Sequence, residues 1–419
     1  MDGRGVRNKP SRYKKNLVAT ITNYYYNIVM ILGGGISGLY TAYQLLKRQP
    51  DRHLVIIDKR DRWGGRVHTY KDEHMTVETG AGRFNDRHPL LLELIHELKL
   101  EKHIRPSTSD YTFLGDSPYT LKTTLMKIIT AADLDPFHDL RDLGFLEYAA
   151  LLLPKEEVKF IEDSFGYYAE LVVMNAKDAV RLMKELFLST FYVLDGGLTQ
   201  IIDGLVLRIQ MFPNVEMRLN ETVLSIKKGY VVTTDKGVYK DPLCICTMPK
   251  DPFMKLAFSK PLHSKLKQIT CAPLCRIYAT FSKPWVHKKF TSATPLRMIL
   301  PYSKNTVMIS YSDHYYALFW SDLYEKHGEA KLREVLSYYV EEELGIRPEI
   351  IQLKVCFWHC GVGYWRIGAD SEVLAKQLQN PFPNFYLCGE HYSAKHQQWM
   401  EGALETSQGV CEHLDKKRI

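Results

Sequence analysis

Three glycines and one aspartate early in the chain have a spacing that suits phosphate and ribose binding. Gly33, Gly35 and Gly38 follow a short apolar run that starts at Asn27, and Asp58 closes the next apolar run twenty residues after Gly38. In a strand–turn–helix–strand unit, such glycines permit a tight turn, close backbone approach to a pyrophosphate and close helix packing, while the acid binds ribose hydroxyls. The pattern therefore predicts a βαβ unit that binds a dinucleotide.

A second glycine turn follows Asp58 and indicates which dinucleotide is bound. The segment 62–66, Arg-Trp-Gly-Gly-Arg, places a flexible turn and the cation Arg66 just beyond the ribose-binding strand end. A guanidinium in that place can neutralise a pyrophosphate through paired hydrogen bonds. Because nicotinamide dehydrogenases need no such turn, the segment predicts FAD. The alternative interpretation is an ordinary loop with a surface arginine.

Further segments match a known family along nearly the whole chain, from Asn27 to Leu414. Besides the two glycine turns, the matching segments are 78–84 (Glu-Thr-Gly-Ala-Gly-Arg-Phe), 195–197 (Asp-Gly-Gly), the strands at 223 and 244–249, 387–390 (Leu-Cys-Gly-Glu) and 399–403 (Trp-Met-Glu-Gly-Ala). With these motifs the chain resembles the flavin amine oxidase family, which includes monoamine oxidases, polyamine oxidases and L-amino-acid oxidases.

The resemblance implies how FAD is held. Glu390 would meet the ribityl chain, the backbone of Val223 would hold the adenine, and the helix start at Met400–Ala403 would face the flavin N1/O2 edge. A helix amino terminus there stabilises the negative charge of reduced flavin. The cysteine that anchors flavin in monoamine oxidases would fall at Gly363, so non-covalent FAD is expected. The predicted cofactor set is Gly33, Gly35, Ile36, Ser37, Gly38, Asp58, Lys59, Gly64, Gly65, Arg66, Gly80, Ala81, Gly82, Arg83, Val223, Gly389, Glu390, Trp399, Met400 and Ala403.

Arg83, Tyr364 and Trp399 are predicted to face the substrate. By the resemblance, Arg83 falls where L-amino-acid oxidases carry the guanidinium that binds the substrate carboxylate, a pairing that selects α-amino acids. The alternative is a structural arginine paired with an internal acid. Tyr364 and Trp399 match the two rings of the aromatic cage of monoamine oxidases, which would exclude water and orient a neutral amine. Plain core packing is the other interpretation of both rings.

Two positions depart from the family pattern. Arg276 falls where the family lysine holds a water near flavin N5, and an arginine cannot be deprotonated to act as a base. It joins the three residues above as a catalytic candidate, and it puts reoxidation by O2 in question. The tyrosine that joins the arginine on the carboxylate has no counterpart near Leu300, although Tyr302 or Tyr311 could substitute.

Together these residues predict an FAD-dependent oxidase. It would transfer hydride from an amine-bearing carbon to flavin N5, release an imine that water hydrolyses, and reduce O2 to H2O2. An L-amino acid is the favoured substrate, with a primary amine or polyamine as the alternative. The paired aromatic rings argue against a desaturase or porphyrinogen-type oxidase. Arg276 keeps a flavoprotein dehydrogenase and a non-catalytic flavin-binding protein open as further alternatives.

The order of elements predicts an α/β fold built from two interleaved domains. A Rossmann-like FAD-binding domain of the glutathione-reductase type would be interrupted by an α+β substrate-binding domain. A helix-rich stretch at about 119–210 gives way to alternating strands at 214–248, and a later helix is expected at Ala330–Leu344. The predicted ranges are 27–84, 190–250 and 356–414 for the FAD-binding domain, with 85–189 (helical) and 251–355 (sheet-rich) for the substrate-binding domain.

Composition limits the location and the partners. The 419 residues are 45% hydrophobic and 25% charged, as in ordered globular proteins. Six basic residues and one acidic residue fall within 1–16, so 1–26 is predicted to be a flexible basic arm, and no nucleic-acid partner is expected. Neither a secretory signal nor a membrane span is recognised. We therefore expect a soluble intracellular protein with reduced cysteines and no metal site, whose partners are an amine or amino acid and O2. A homodimer stays open.

Overall fold

The computed structural model describes residues 28–108 and 110–417, so the predicted basic arm at 1–26 lies outside the described residues. Within these ranges the strands are β1 (Ile28–Leu32), β2 (His53–Ile57), β3 (Thr69–Lys71), β4 (Thr76–Glu78), β5 (Phe84–Asn85), β6 (Ile104–Ser107), β7 (Tyr111–Leu114), β8 (Phe191–Leu194), β9 (Val215–Arg218), β10 (Val223–Lys227), β11 (Val231–Thr234), β12 (Val238–Lys240), β13 (Cys244–Cys246), β14 (Ile269–Phe281), β15 (Lys289–Ser292), β16 (Met298–Pro301), β17 (Thr306–Asp313), β18 (Ile350–Trp365) and β19 (Phe385–Leu387).

The helices of the same ranges alternate with these strands. They are α1 (Ile36–Arg48), α2 (Pro89–Glu97), α3 (Leu121–Leu134), α4 (Phe145–Leu152), α5 (Lys155–Ser164), α6 (Tyr168–Val172), α7 (Ala176–Leu188), α8 (Thr199–Gln210), α9 (Lys250–Met254), α10 (His263–Leu266), α11 (His314–Leu344), α12 (Ser371–Gln379) and α13 (Met400–Lys417). Short 3₁₀ turns occur at Glu101–His103, Ala257–Leu262 and Glu390–Tyr392. No helix of the described residues is long and apolar enough to cross a membrane.

A five-stranded sheet positions the two glycine turns. Its strands lie in the order β19–β13–β1–β2–β9, and each neighbouring pair is parallel. The apolar runs of β1 and β2 pair in register, with Ile31 opposite Ile56. Both runs are almost wholly buried, as parallel strands covered by helices require. Helix α1 follows β1 and packs against α8 and α13. The predicted βαβ unit and the α/β class are therefore confirmed.

A second sheet carries much of the predicted substrate side. Its six strands lie in the order β18–β14–β17–β16–β15–β7. The two longest, β14 and β18, pair antiparallel over most of their length. An apolar cluster formed by α3 to α7 includes Ala272 of β14 and Tyr364 of β18, so the predicted helical and sheet-rich segments pack together. The domain boundaries given above stay a prediction.

Helix α11 differs most from the sequence prediction. A helix is expected at Ala330–Leu344, but it begins at His314. Residues 314–320 include five aromatic side chains, counting His314, and these obscure a helical period in the sequence. Gly328, at φ 75°, then breaks the helix in two. The five-residue helix α6 is not predicted either, because it is too short to show a period.

One pair of cysteines corrects the expectation of reduced thiols. Cys271 of β14 and Cys360 of β18 form a disulfide, although 89 residues separate them in sequence. The other six cysteines are free and buried, as expected. The prediction is wrong for this pair because cysteine spacing along a chain does not show which strands lie side by side. Strand pairing brings the two Cα atoms to 4.9 Å, within the usual range for a disulfide.

Candidate active site

A cavity of about 1880 Å³ opens where the strands of the parallel sheet end. Its wall includes residues that directly follow β1, β2 and β13 and residues just beyond β19, together with residues of β14, β17 and β18. In open parallel sheets, ligands bind at the carboxyl ends of the strands. Pockets for a single small ligand measure roughly 300–1,000 Å³. This cavity therefore has room for a dinucleotide and a second molecule.

Every residue of the predicted cofactor set except Gly38 lines this cavity. Gly38 lies against the glycine turn instead, where an added Cβ would be 1.9 Å from the backbone oxygen of Gly33. Gly33 has φ 126°, a conformation that side chains disfavour. The two residues thus adopt the roles that their spacing predicts, a tight turn at Gly33 and close packing at Gly38.

The second glycine turn lies directly against the first. The Gly64 N–H donates to the Gly34 carbonyl at 2.8 Å, and Gly35 and Gly64 form an isolated β-bridge. Asp58 closes the other side, since its carboxylate accepts the Gly34 N–H at 2.7 Å and the Arg60 N–H at 2.9 Å. Two flexible turns and a carboxylate therefore meet at one edge of the cavity, as the sequence predicts for a pyrophosphate-ribose site.

Arg66 and Glu390 form an ion pair beside these turns, although 324 residues separate them in sequence. Arg66 also donates to the Gly361 carbonyl at 2.9 Å, and the Gln398 N–H donates to Glu390 at 3.1 Å. Burial alone would raise the pKa of Glu390, but the charges of His391 and Arg66 lower it to about 2. Glu390 is therefore an anion on the cavity wall across the whole physiological pH range.

The residue before the Trp399–Ala403 motif offers free hydrogen-bonding groups to a ligand. Gln398 has φ 71°, and both atoms of its buried side-chain amide have no hydrogen-bond partner within the described structure. Buried polar atoms are normally paired. Gln398 lines the cavity just before α13 begins at Met400. A polar ring system such as that of FAD fits this end of the cavity, because it could satisfy the amide and the helix start together.

Arg83 is open to the cavity. Its guanidinium donates to the Tyr167 hydroxyl at 3.2 Å and lies over the rings of Phe191, at 4.4 Å, and Trp399, at 5.9 Å. Across residues 28–108 and 110–417, no carboxylate oxygen forms an ion pair with it. Of the two interpretations given above, the geometry favours the arginine that faces a substrate over the one paired with an internal acid.

Tyr364 and Trp399 line the same cavity but do not stack on each other. Tyr364 is buried in the apolar cluster of α3 to α7, and only part of the Trp399 side chain is covered. The Trp399 ring contacts His88, at 4.9 Å between centroids, and Phe191, at 6.1 Å. Two rings on separate elements face one space, an arrangement that could flank a flat or small apolar group.

Arg276 is the most deeply buried cation of the cavity wall. It donates to the Glu78 carbonyl at 3.2 Å, lies 4.4 Å from the ring centre of Tyr311, and leaves its Nε without a hydrogen-bond partner. Its guanidinium also approaches Gly82, where an added Cβ would be only 2.7 Å away. Arg276 is therefore held close to the predicted cofactor segment 80–83, and it remains charged at any physiological pH.

Lys289 is a site residue that the sequence does not single out. It begins β15, and its Nζ donates to Ser107 and Thr108 near the ring of Tyr111. Burial and the neighbouring Arg83 charge lower the pKa of Lys289. A lysine at the start of a strand is normally a solvated side chain, so nothing in the sequence distinguishes it.

Two buried carboxyl groups of the cavity wall, Glu170 and Asp313, are also absent from the sequence prediction. Burial and the neighbouring Asp313 raise the pKa of Glu170 to about 8, and one of its oxygens has no hydrogen-bond partner in the described structure. Burial raises the pKa of Asp313 to about 6, although its carboxylate accepts the N–H groups of Tyr168 and Ala169. At neutral pH, Asp313 is therefore mostly ionised and Glu170 mostly neutral.

We use the name substrate pocket for the part of the cavity bounded by these side chains. The side chains of this pocket all line the cavity. Tyrosine rings connect them, as in the edge-to-face pair of Tyr167 and Tyr311, whose ring centroids are 5.4 Å apart. Its members are Arg83, Tyr111, Tyr167, Glu170, Arg276, Lys289, Tyr311, Asp313 and Tyr364.

Known proteins resemble this chain over most of its length. The family model described as flavin containing amine oxidoreductase matches residues 36–414. An uncharacterized protein of Acanthamoeba polyphaga mimivirus is 20% identical over 93% of this chain and 96% of its own length. Coproporphyrinogen III oxidase of Staphylococcus aureus is 26% identical over 27% of this chain and 26% of its own length. Wild-type putrescine oxidase bound to putrescine superposes with a TM-score of 0.73 at 17% identity, over 93% of this chain and 99% of that chain.

Proposed function

Since this chain belongs to the flavin containing amine oxidoreductase family, we propose that it is an FAD-dependent oxidase that deaminates L-amino acids. The family supports an oxidoreductase that binds FAD and acts at an amine-bearing carbon. Relatedness alone does not select the substrate, because similar proteins include a putrescine oxidase and a coproporphyrinogen oxidase. The choice of an amino acid rests on the substrate pocket.

The residues at the strand ends would hold the cofactor. The glycine turns at 33–38 and 64–65 with Asp58 suit the pyrophosphate and ribose, and Glu390 and Gln398 suit the more distant polar groups. Bound FAD would supply the two-electron acceptor, taking hydride from the substrate Cα and passing both electrons to O2. The overall reaction consumes one amino acid, one O2 and one water, and it gives a 2-oxo acid, ammonia and H2O2.

The net positive charge of the substrate pocket is the observation that best supports an amino-acid substrate. Arg83, Arg276 and Lys289 contribute three cations, while at neutral pH Asp313 is the ionised carboxylate and Glu170 is largely protonated. Such a pocket attracts a carboxylate and repels a polyamine, which carries several positive charges. Arg83 has the free guanidinium that can pair with a carboxylate in two parallel hydrogen bonds.

The aromatic wall has a complementary role. Tyr364 and Tyr167 line the pocket and Trp399 lines the same cavity, and their ring surfaces would exclude water from a bound substrate. A poorly solvated pocket disfavours the ammonium form of the substrate, so the neutral amine needed for hydride loss is more easily formed there. No side chain has to act as an obligatory base in this scheme.

A substrate panel tests the proposal. Purified holoenzyme would be mixed in air with L-amino acids, their D-enantiomers, the matching decarboxylated amines and several polyamines, and peroxide release would be followed. We expect turnover with L-amino acids and little with compounds that lack a carboxylate. Turnover restricted to amines or polyamines would contradict the proposal.

The second candidate function is a dehydrogenase that passes its electrons to an acceptor other than O2. It is favoured by the presence of an arginine, Arg276, in the cavity wall. Because Arg276 cannot give up its proton, it cannot replace a lysine that assists the reaction of reduced flavin with O2. Anaerobic mixing with the best substrate would bleach the flavin absorbance in either case. Fast recovery on admitting air indicates an oxidase, whereas recovery only with an artificial electron acceptor indicates a dehydrogenase.

We predict that denaturation releases the FAD intact. Gly363 has no side chain that could bond to the flavin, and a Cβ at this position would already be 3.0 Å from the imidazole ring of His391. After acid or heat precipitation, the flavin absorbance should appear in the supernatant with the mass of free FAD. Flavin that stays with the pellet and with a tryptic peptide would show a covalent bond.

Glu170→Gln should change the pH profile but not the activity at neutral pH. The pKa of Glu170 is raised to about 8, so the wild-type side chain is mostly protonated near pH 7 and mostly ionised near pH 9. Glutamine resembles the protonated form. The ionised form adds a negative charge near Arg83, which costs an anionic substrate on the order of 1 kcal/mol in a poorly screened pocket.

The measurement is the ratio of kcat/KM between Glu170→Gln and wild type across the pH range. We expect a ratio of about one near pH 7 that rises to about fivefold near pH 9. Taking the ratio cancels the titration of the substrate amine, which is common to both proteins. A ratio that stays constant over this range would show that Glu170 does not influence substrate binding.

A further inference from the structure

The two cysteines of the disulfide, Cys271 and Cys360, are more exposed than the other six cysteines. Cys360 lines the FAD cavity, and both residues of the pair are partly exposed. The remaining six cysteines are buried, and burial raises the pKa of each of these thiols, which makes them poor nucleophiles; they are Cys244, Cys246, Cys275, Cys356, Cys388 and Cys411.

We propose that Cys271 and Cys360 are a reversible thiol–disulfide pair, oxidised by hydroperoxides, whose oxidation state sets how tightly the protein holds FAD. This modification site on the cavity wall is additional to the proposed oxidation of an amine-bearing carbon. It does not depend on which substrate the enzyme uses.

The pair is connected to the cofactor site through one short path. Gly361 follows Cys360, and its carbonyl accepts a hydrogen bond from Arg66 at 2.9 Å. Arg66 in turn pairs with Glu390. The disulfide fixes Cys360 to the neighbouring strand β14 and so fixes the Gly361 carbonyl. When the bond is reduced, this bulged part of β18 is less constrained, and Arg66 loses a rigid partner.

The surroundings suit a reactive thiol better than a metal ion. The sulfur atoms of Cys271 and Cys360 each lie 3.7 Å from a ring nitrogen of His391, and the three possible ligand atoms are within 4.8 Å of one another. However, His391 Nδ1 accepts the Lys250 N–H at 3.1 Å, and Nε2 lies 2.9 Å from Glu390 and 3.0 Å from a guanidinium nitrogen of Arg66. Both nitrogens are thus occupied, and His391 is not a free ligand.

The guanidinium of Arg66 supplies the positive charge that favours a thiolate in the reduced pair. It lies 3.0 Å from His391 Nε2, and that nitrogen is 3.7 Å from the Cys360 sulfur. Cysteines that lie near a cation and in contact with solvent are the ones that react with peroxides. Cys360, which faces the cavity, is therefore the residue that would be oxidised first, and Cys271 the residue that then forms the disulfide with it.

The chemistry is balanced with a hydroperoxide as oxidant. The Cys360 thiolate attacks one peroxide oxygen, the S–O bond forms, the O–O bond breaks, and an alcohol or water leaves after taking up a proton. The Cys271 thiolate then attacks the Cys360 sulfur, the S–S bond forms, the S–O bond breaks and water leaves. Two electrons pass from the thiols to the peroxide, and a dithiol reductant reverses the change by exchange.

Differential labelling tests the redox part. Holoenzyme would be reduced with dithiothreitol, freed of it, and treated with H2O2 in steps. Free thiols would be alkylated with one reagent, and thiols recovered by a second reduction with another, before mass spectrometry. We expect reversible change at Cys271 and Cys360 and none at the other six. Equal change at the buried cysteines, or no change at the pair, would overturn the proposal.

FAD binding tests the coupling, with matched variants. Release of FAD fluorescence on dilution would give the dissociation constant of oxidised and reduced protein. We expect FAD to bind about tenfold more weakly after reduction, as for the weakening of one charge-assisted hydrogen bond. Cys360→Ser and Cys271→Ser should bind as the reduced wild type does and should not respond to oxidation. Cys356→Ala, on the same strand, should respond like the wild type.

Two results would overturn this part. One is equal FAD affinity of the oxidised and reduced wild type. The other is stoichiometric Zn²⁺ bound by the reduced protein and lost in both the Cys360→Ser and the Cys271→Ser variants, because the cluster would then be a metal site. Circular dichroism of each variant separates a failure to fold from a true effect on FAD.

Discussion

Replacing Arg83 with methionine is expected to lower kcat/KM for the proposed L-amino-acid substrates about a thousandfold, or roughly 4 kcal/mol of transition-state stabilisation. The guanidinium is the open cation of the substrate pocket, held by Tyr167 and by ring contacts to Phe191 and Trp399 rather than by a carboxylate. Arg276 and Lys289 would remain, but they already donate to the Glu78 carbonyl and to Ser107 and Thr108, so the substrate carboxylate would lose its paired hydrogen bonds. Steady-state kinetics on the best substrate measures the loss.

The Arg83→Met experiment has two kinds of control, a substrate without a carboxylate and further protein variants. The amine made by removing the carboxylate from the same amino acid should lose almost nothing in Arg83→Met, because it never pairs with the guanidinium. Arg83→Lys should recover part of the activity, since a lysine keeps the charge but not the two parallel hydrogen bonds. Arg87→Met, at an exposed arginine four residues later, should behave like the wild type. An equal loss for amine and amino acid would mean that Arg83 has a structural role.

Gly38→Ala is expected to abolish stable FAD binding. The new Cβ would lie 1.9 Å from the Gly33 carbonyl oxygen and 3.1 Å from the Thr247 hydroxyl, so the glycine turn or helix α1 has to move. Overpacking of this kind costs about 3 kcal/mol, and the displaced turn is the part that faces the cofactor. We expect purified Gly38→Ala to contain less than a tenth of the wild-type FAD and to melt about 5 °C or more below it.

The matched variant is Gly237→Ala, in a hairpin turn where an added Cβ would meet nothing closer than 3.5 Å. It should keep the wild-type flavin content and melting temperature. Flavin absorbance per protein and thermal unfolding of both variants provide the measurements. If Gly38→Ala retains full FAD at the wild-type melting temperature, the close packing at the turn is not needed for binding.

The sequence brings the two glycine turns and Asp58 to one edge of the cavity because their determinants are local or belong to strong motifs. A strand that stops at Gly33 and an acid at Asp58 define a unit whose geometry follows from backbone sterics alone. The motifs also bring Arg66 and Glu390 to the same place, and the structure joins them in an ion pair. Neither the periodicity nor the resemblance to a family predicts that contact, which is seen only in the fold.

The substrate side is predicted less well because its residues come from elements that meet only in the fold. Lys289, Glu170 and Asp313 lie in a strand, a short helix and a strand end, and none has a distinctive spacing. Their effect on one another depends on burial, which raises the pKa of both acids. The disulfide is missed for the same reason, because its two cysteines meet only when β14 pairs with β18.

The order of strands in the parallel sheet constrains when the protein can acquire its cofactor during synthesis. The outermost strand, Phe385–Leu387, pairs with Cys244–Cys246, which pairs with Ile28–Leu32. The first βαβ unit therefore leaves the ribosome long before Glu390 and the helix that begins at Met400. A nascent chain stalled before residue 385 would present the glycine turns and Arg66 without Glu390, so we expect stable FAD binding only after strand Phe385–Leu387 and helix α13 have emerged.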